Sequence, residues 1–166
     1  MAVREIRLLG DPILKTVCEP ITDFEAASAL IEDLLDTTQL PGRAGVAANQ
    51  IGVSLRAFSF NVNAQLGYLI NPRIVETLGE LNLRDEGCLS LPTLWHQTPR
   101  FAQVVAEGQL LDGSIIQVEG TGLLAQALQH ECDHLIGLLY PMRVRDFSHF
   151  GFTSVLFPGL DVPQDD

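Results

Sequence analysis

The sequence predicts an α+β fold in which mostly antiparallel strands pack around one core helix, with an amphipathic helix near the N-terminus. Three observations predict this arrangement. Apolar residues recur at helical spacing early in the chain, β-rich runs separated by turn signals fill its middle, and an apolar helical stretch follows them. No internal repeat, low-complexity block or linker divides the sequence, so we expect one domain.

The first helix is predicted to begin after Asp23, whose side chain can cap a helix N-terminus. Beyond it, apolar residues repeat every three to four positions, and they are Phe24, Ala27, Leu30, Ile31, Leu34 and Leu35. The helix is expected to end before LPGRAG, because proline and glycine oppose its continuation.

Strand signals dominate the middle of the chain. RAFSFNV, residues 56–62, alternates apolar residues on one face, and GYLINPRIVETLG, residues 67–79, contains a proline that suits an edge or a bulge. AQVVAEGQLLDGSIIQVEG, residues 102–120, is divided by Asp112-Gly113, which is a strong hairpin signal. These runs predict several antiparallel strands.

The second helix is predicted over GLLAQALQHECDHLI, residues 122–136. Thr121 can cap its start, and Gly137 stands where a left-handed residue would end it. The final stretch, FPGLDVPQDD, contains two prolines and three aspartates and has little to bury. We therefore expect a single domain over residues 1–157 and a loose acidic tail over residues 158–166.

Composition limits the classes of partner. The 166 residues include 10 Lys and Arg against 21 Asp and Glu, for a net charge of -11, which argues against direct binding to nucleic acid or an anionic membrane. No signal peptide or membrane-spanning run is recognisable, so a cytoplasmic protein is expected. Of the three cysteines, Cys18 and Cys132 are interpreted as packing thiols.

The stretch QHECDHLIG, residues 129–137, carries the main chemical signal. On a helix, His130 and His134 lie one turn apart on the same side, where both imidazoles can reach one metal ion. Glu131 can then reach a water molecule on that ion. The alternative is an ordinary core helix with two incidental histidines.

A catalytic metal site of this kind needs a third protein ligand. The longer zinc-protease pattern would place a histidine where this chain has Tyr140, so that pattern does not supply the third ligand. Asp146 and His149 are downstream candidates that require a sharp return of the chain. Cys88 is the upstream candidate, and a thiolate there is a strong ligand for zinc or ferrous iron.

Three motifs together carry a family resemblance. GVAANQIG at residues 45–52, EGCLS at 86–90 and HECDH at 130–134 resemble the signature motifs of the peptide deformylase family. The opening LLGDPIL is also similar to the start of such enzymes, and the resemblance covers about residues 5–145.

The resemblance implies a function and a set of metal ligands. The reaction is hydrolysis of the N-formyl group from the initiator methionine of new polypeptides, which releases formate. Cys88, His130 and His134 would bind the divalent metal, with ferrous iron expected in the cell and nickel, cobalt or zinc as substitutes. Glu131 would act as the acid and base.

The resemblance also implies two oxyanion donors, the side-chain amide of Gln50 and the backbone N–H of Leu89. The small residues around Gly45 favour close approach of another backbone, either a peptide strand or merely a tight chain connection. A substrate strand would hydrogen-bond near Ala44, Gly45 and Gly87.

The methionine side chain of the substrate needs an apolar pocket. Leu123 and Ala127, about two turns and one turn before His130 on the predicted helix, are candidates for its lining, with plain core packing as the alternative.

Several positions depart from the family pattern. Arg43 replaces the usual first glycine of the first motif, at the expected mouth of the cleft. Trp95 is interpreted either as a lid or as hydrophobic packing, and His96 as a surface loop residue. The C-terminal region ends acidic, which argues against ribosome docking through a basic helix and leaves transient proximity to the ribosome.

Two rival functions remain at this point. One is a zinc endopeptidase that uses the same helix. The other, motivated by Arg43, is a deformylase-like protein that binds formyl peptides or other peptide N-termini with little or no turnover.

Overall fold

A computed structural model describes residues 2–144 and 151–152. It contains a six-stranded sheet in which every named strand pair is antiparallel, together with two α-helices. The expected α+β arrangement of a mostly antiparallel sheet with helices is therefore present. The predicted tail over residues 158–166 lies outside the described residues, as do Asp146 and His149.

The sheet runs in the order β1-β2-β3-β4-β5, and β6 pairs with β4. The strands are β1 (Gly45–Ala47), β2 (Ala57–Val62), β3 (Gln65–Cys88), β4 (Leu91–Gln109), β5 (Ile115–Thr121) and β6 (Gly151–Phe152). The helices are α1 (Ser28–Thr38) and α2 (Gly122–His134). β3 and β4 form one long hairpin, and both strands contact α2. Cys88, at the end of β3, therefore lies near α2.

Turn residues connect the strands as the sequence indicated. β4 and β5 are joined through Leu110–Ser114, where Gly113 has a φ of 81°, so the hairpin prediction is confirmed. In β3 the pairing register shifts between Ile70 and Arg73, on either side of Pro72. A proline cannot donate a ladder hydrogen bond, and the predicted irregularity is present there.

α1 begins later than predicted. Asp23 Oδ1 accepts a hydrogen bond from Ala26 N at 2.9 Å, so it closes a separate turn, and the helix itself begins at Ser28. Apolar residues continue through this turn, which is why their spacing did not separate it from the helix. Leu30, Ile31 and Leu34 point inward and pack against β1 and β2.

α2 packs its apolar side on the sheet. Leu128 and Leu135 are fully buried in the main core, where each contributes roughly 1.5–3 kcal/mol of hydrophobic stabilisation. Thr121 occupies the N-cap position as expected, although its side chain makes no capping bond. Gly137 has a φ of 76°, and a Cβ there would lie 2.5 Å from Lys15 O. The chain turns at Gly137 as predicted.

His96 is not a surface residue. It lies within β4 opposite Glu86 and is 2 % exposed, so the surface-loop prediction is wrong. Trp95, beside it, is half-buried between Gly87 of β3 and Gly151 of β6. This proline-containing segment belongs to the sheet because β4 pairs with β3 on one side and β6 on the other.

Packing interpretations of the cysteines agree with the structure. Cys18 is buried in the main core and Cys132 packs against it. Burial raises the pKa of both thiols, to about 12 for Cys132. Within the described part of the chain, no helix is long and apolar enough to cross a bilayer.

Candidate active site

The structure brings Cys88 to the two histidines of α2. The ligating atoms of Cys88, His130 and His134 all lie within 4.8 Å of one another. Cys88 Sγ is 3.3 Å from His134 Nε2, which is 3.1 Å from His130 Nε2. The cysteine reaches this position because β3 ends at Cys88, next to α2.

The chemistry of this donor set fits a divalent transition metal. Glu86 Oε1 lies 2.6 Å from His130 Nδ1 and can accept a hydrogen bond from that ring N–H, which in the neutral ring leaves the Nε2 lone pair directed toward the other two residues. A thiolate and two imidazoles suit zinc or ferrous iron rather than magnesium or calcium. Three protein ligands also leave a coordination position for water or substrate.

The two histidines are held in different electrostatic environments. Burial would lower the pKa of His130, but Cys88 and Glu86 together raise it well above its usual value. Burial and the neighbouring His130 lower the pKa of His134 well below its usual value. His134 is therefore neutral, which is the form that can offer a nitrogen lone pair to a cation.

A buried ion network supports His130 from behind. Arg100 Nε donates to Glu86 Oε2 at 2.9 Å, and its Nη1 donates to Asp133 Oδ2 at 2.7 Å. Arg143 Nε donates to the same Asp133 oxygen at 3.0 Å. Glu86, Arg100 and Asp133 are each at most 5 % exposed, so the network fixes the orientation of the His130 ring.

Charge pairing outweighs burial in setting the pKa values of this network. Burial alone would raise the pKa of Glu86, but hydrogen bonds from Arg100 and His130 lower it to about 2. Likewise, Glu86 and Asp133 raise the pKa of Arg100 although burial opposes this. Our sequence predictions missed all three residues, although Glu86 stands two residues before Cys88 and Asp133 one before His134.

Glu131 lies beside the cluster with space made for it by Gly45. It is 3 % exposed, and its Oε2 has no hydrogen-bond partner among the described residues. Burial raises the pKa of Glu131 to about 7. A Cβ on Gly45 would lie 2.5 Å from Glu131 Oε1, so the absence of a side chain at Gly45 leaves room for this carboxyl.

Gln50 directs its amide toward the same place. Its Nε2 lies 3.6 Å from Cys88 Sγ and donates to Ser90 Oγ at 3.1 Å, while its Oε1 accepts from Ala47 N at 3.0 Å. With 1 % exposure, the side chain is fixed at both ends. Leu89 lies in the tight connection between β3 and β4, next to Cys88.

A cavity of about 750 Å³ opens over this cluster. Every predicted substrate-binding residue lines it, and these are Ala44, Gly45, Gly87, Leu123 and Ala127. Gln50, Cys88, Leu89, His130 and Glu131 also line it. Leu123 is 50 % exposed, so it lies at the open side, whereas Ala127 lies deeper. Trp95 does not line the cavity, which favours its packing interpretation.

Family comparisons agree with this geometry. A family model described as polypeptide deformylase matches residues 3–149. Peptide deformylase 2 of Pseudomonas putida is 39 % identical, over 98 % of this chain and 99 % of its own length. A peptide deformylase of Acidothermus cellulolyticus is 48 % identical, over 84 % of this chain and 78 % of its own.

Solved structures are similar to the whole fold. The peptide deformylase from Thermotoga maritima superposes with a TM-score of 0.82 at 33 % identity, covering 88 % of this chain and 100 % of that one. A peptide deformylase from Synechococcus elongatus, solved in complex with actinonin, has a TM-score of 0.81 at 30 % identity. It covers 87 % of this chain and 80 % of that one.

Proposed function

This chain belongs to the polypeptide deformylase family, and from that premise we propose how its residues carry out the reaction. The protein is a metal-dependent hydrolase that removes the N-formyl group from formylmethionyl peptides and releases formate. One observation carries the assignment of roles: Cys88, His130 and His134 converge, and Cys88, His130 and Glu131 line one cavity.

Cys88, His130 and His134 would hold one divalent ion, and we propose ferrous iron in the cell. When bound, such an ion supplies Lewis acidity that lowers the pKa of water and polarises a carbonyl. Glu86 would keep His130 in the tautomer that offers Nε2, with Arg100 holding the Glu86 carboxylate in place.

Glu131 would move the proton during hydrolysis. Its unpartnered Oε2 accepts a proton as water attacks the formyl carbon, and the same oxygen delivers it to the leaving amine. A carboxyl with a pKa near neutrality suits both steps, because each protonation state is accessible at working pH. Because Gly45 has no side chain, the Glu131 carboxyl can occupy the space beside it at the cavity floor.

Gln50 and Leu89 would stabilise the negative charge that develops on the formyl oxygen. The Gln50 side chain is anchored through Ala47 N and Ser90 Oγ, so only the N–H that now faces Cys88 Sγ would turn to the developing oxyanion. The backbone N–H of Leu89 is the second proposed donor. Loss of one such donor typically raises the barrier by about 2.7–4 kcal/mol.

The peptide would bind along the end of the sheet. β1 is the terminal strand of the order and, among the described strands, pairs only with β2, and Ala44 and Gly45 line the cavity. We propose that the substrate adds there as an extended strand, with Gly87 on the opposite wall. Leu123 and Ala127 would contact the methionine side chain.

The wider setting follows from the substrate. We propose that the enzyme acts in the cytoplasm on nascent chains, as one domain over residues 1–157. We propose only transient proximity to the ribosome, because residues 158–166 carry three aspartates and no Lys or Arg.

Formate release tests the function. Protein loaded anaerobically with ferrous iron, or with nickel, is expected to release one formate per formyl-Met-Ala-Ser consumed, with no internal peptide bond cleaved. Cys88→Ala is expected to abolish both metal retention and turnover. Metal retention by Cys88→Ala, together with cleavage of unformylated peptides, would instead support a zinc endopeptidase.

A further inference from the structure

Arg43 is the one Lys or Arg among the described residues that line the cavity. It is partly buried at the rim, next to Gly42 and Ala44. Gly42 has a φ of 81°, and Arg43 itself has no positive φ, so the backbone accommodates the long side chain without strain. A cation is thus placed at the rim, where an incoming peptide would pass.

One hydrogen bond anchors the Arg43 side chain. Nη1 donates to Thr37 O at 2.9 Å, near the C-terminus of α1, where a cation is electrostatically favoured. Guanidinium carries five N–H donors in a planar fork, so most of them remain for another acceptor. Within the described residues, no carboxylate forms a salt bridge with Arg43.

The position of Glu131 beside Gly45 determines how far Arg43 lies from the formyl group of a bound peptide. Gly45 abuts Glu131, so the formyl end of a substrate lies beside Gly45. Arg43 precedes Gly45 by two positions in the chain, which corresponds to roughly 7 Å of extended chain. A peptide running from Gly45 toward Arg43 therefore brings its second or third residue to the guanidinium.

Resting on the proposed function, we propose that Arg43 is a specificity-determining residue that selects formyl peptides carrying a carboxylate two or three residues from the formyl group. The carboxylate comes either from an acidic side chain or from the C-terminus of a short peptide. Arg binds carboxylates through paired N–H donors, and the apolar lining of the cavity weakens competition from water. Asp85, an exposed residue of β3, also lines the cavity, and its negative charge disfavours an acidic group of the substrate on that side.

Four peptides separate the two sources of the carboxylate. They are formyl-Met-Ala-Ala-amide, formyl-Met-Asp-Ala-amide, formyl-Met-Ala-Asp-amide and formyl-Met-Ala-Ala with a free C-terminus. We expect kcat/KM of the wild type to be about 5- to 10-fold higher for one or more of the charged peptides than for the uncharged amide. That ratio should shrink in high salt, because part of the attraction is screened.

Arg43→Gln should bring the charged-to-uncharged ratio close to one, and Arg43→Lys should give an intermediate value because it keeps the charge and loses the fork. Arg73→Gln is the matched control, since Arg73 is 69 % exposed in β3 outside the cavity and its loss changes net charge equally. A purely structural role at the end of α1 would lower the unfolding temperature of Arg43→Gln without changing the ratio.

Two results would overturn the inference: a wild-type ratio near one for all three charged peptides, or a ratio that Arg43→Gln leaves unchanged. Absence of turnover with every peptide would contradict the proposed function instead. In that case, dissociation constants of the same four peptides, measured by calorimetry on wild type and Arg43→Gln, decide the role of Arg43.

Discussion

Substitution of Gly45 by alanine tests the placement of the Glu131 carboxyl. The new Cβ would lie 2.5 Å from Glu131 Oε1 and 2.8 Å from its Cδ and Cγ, whereas ordinary contact begins at 3.4 Å. Glu131 is 3 % exposed, so its carboxyl has little free space into which it can withdraw. It must move by about 0.9 Å to relieve the closest contact.

A displacement of this size costs both activity and stability. Misplacement of a catalytic group by about 1 Å can lower the rate by about 100-fold, so kcat/KM for formyl-Met-Ala-Ser should fall by about that factor in Gly45→Ala. Overpacking should also lower the free energy of unfolding by about 1–3 kcal/mol. The metal content should be unchanged, because the three atoms nearest to the new methyl group all belong to Glu131.

Steady-state kinetics, metal analysis and urea unfolding measure these three quantities. Gly87→Ala is the matched control for stability, since a Cβ there would approach only Leu94 O, at 3.4 Å. Combining Gly45→Ala with Glu131→Asp, which shortens the carboxyl, should recover about 0.5–3 kcal/mol of the lost stability. Near-wild-type turnover of Gly45→Ala, or additive stability losses in the double variant, would refute the reasoning.

Three further variants test the surroundings of the cluster. Arg100→Leu leaves Glu86 buried without its arginine and Asp133 with Arg143 alone, and should destabilise the fold by about 3–5 kcal/mol in urea unfolding; a loss below 1 kcal/mol would contradict this. Glu86→Gln should weaken metal affinity by about 10- to 100-fold in competition with a chelator; unchanged affinity would exclude its support of His130. Gln50→Ala should lower kcat by about 100- to 1,000-fold with little change in metal content, whereas an unchanged kcat would remove Gln50 from the oxyanion site.

Local periodicity accounts for the part of the site that could be predicted. The i, i+4 spacing on a helix dictates that His130 and His134 meet, and their rings lie 4.8 Å apart. Cys88 is 42 residues earlier in the chain, and helical spacing says nothing about its position. It was predicted from the three motifs together, and the β3–β4 hairpin delivers it to α2.

Long-range pairing explains what the sequence did not predict. The contact between Glu86 and Arg100 depends on the register of β3 against β4, which places Glu86 opposite His96. The same register buries His96, which was interpreted from the sequence as a surface loop residue. Likewise, the apolar spacing around Asp23 could not show that this residue caps a separate turn instead of α1.

The central claim is that Glu131 performs the hydrolysis beside a metal held by Cys88, His130 and His134. Formate release and metal content, measured together on iron-loaded Glu131→Gln, test it most directly. We predict wild-type metal content with formate release reduced to background, because the amide fits the same space but cannot accept the proton. Substantial formate release by this variant with its metal bound would contradict the claim.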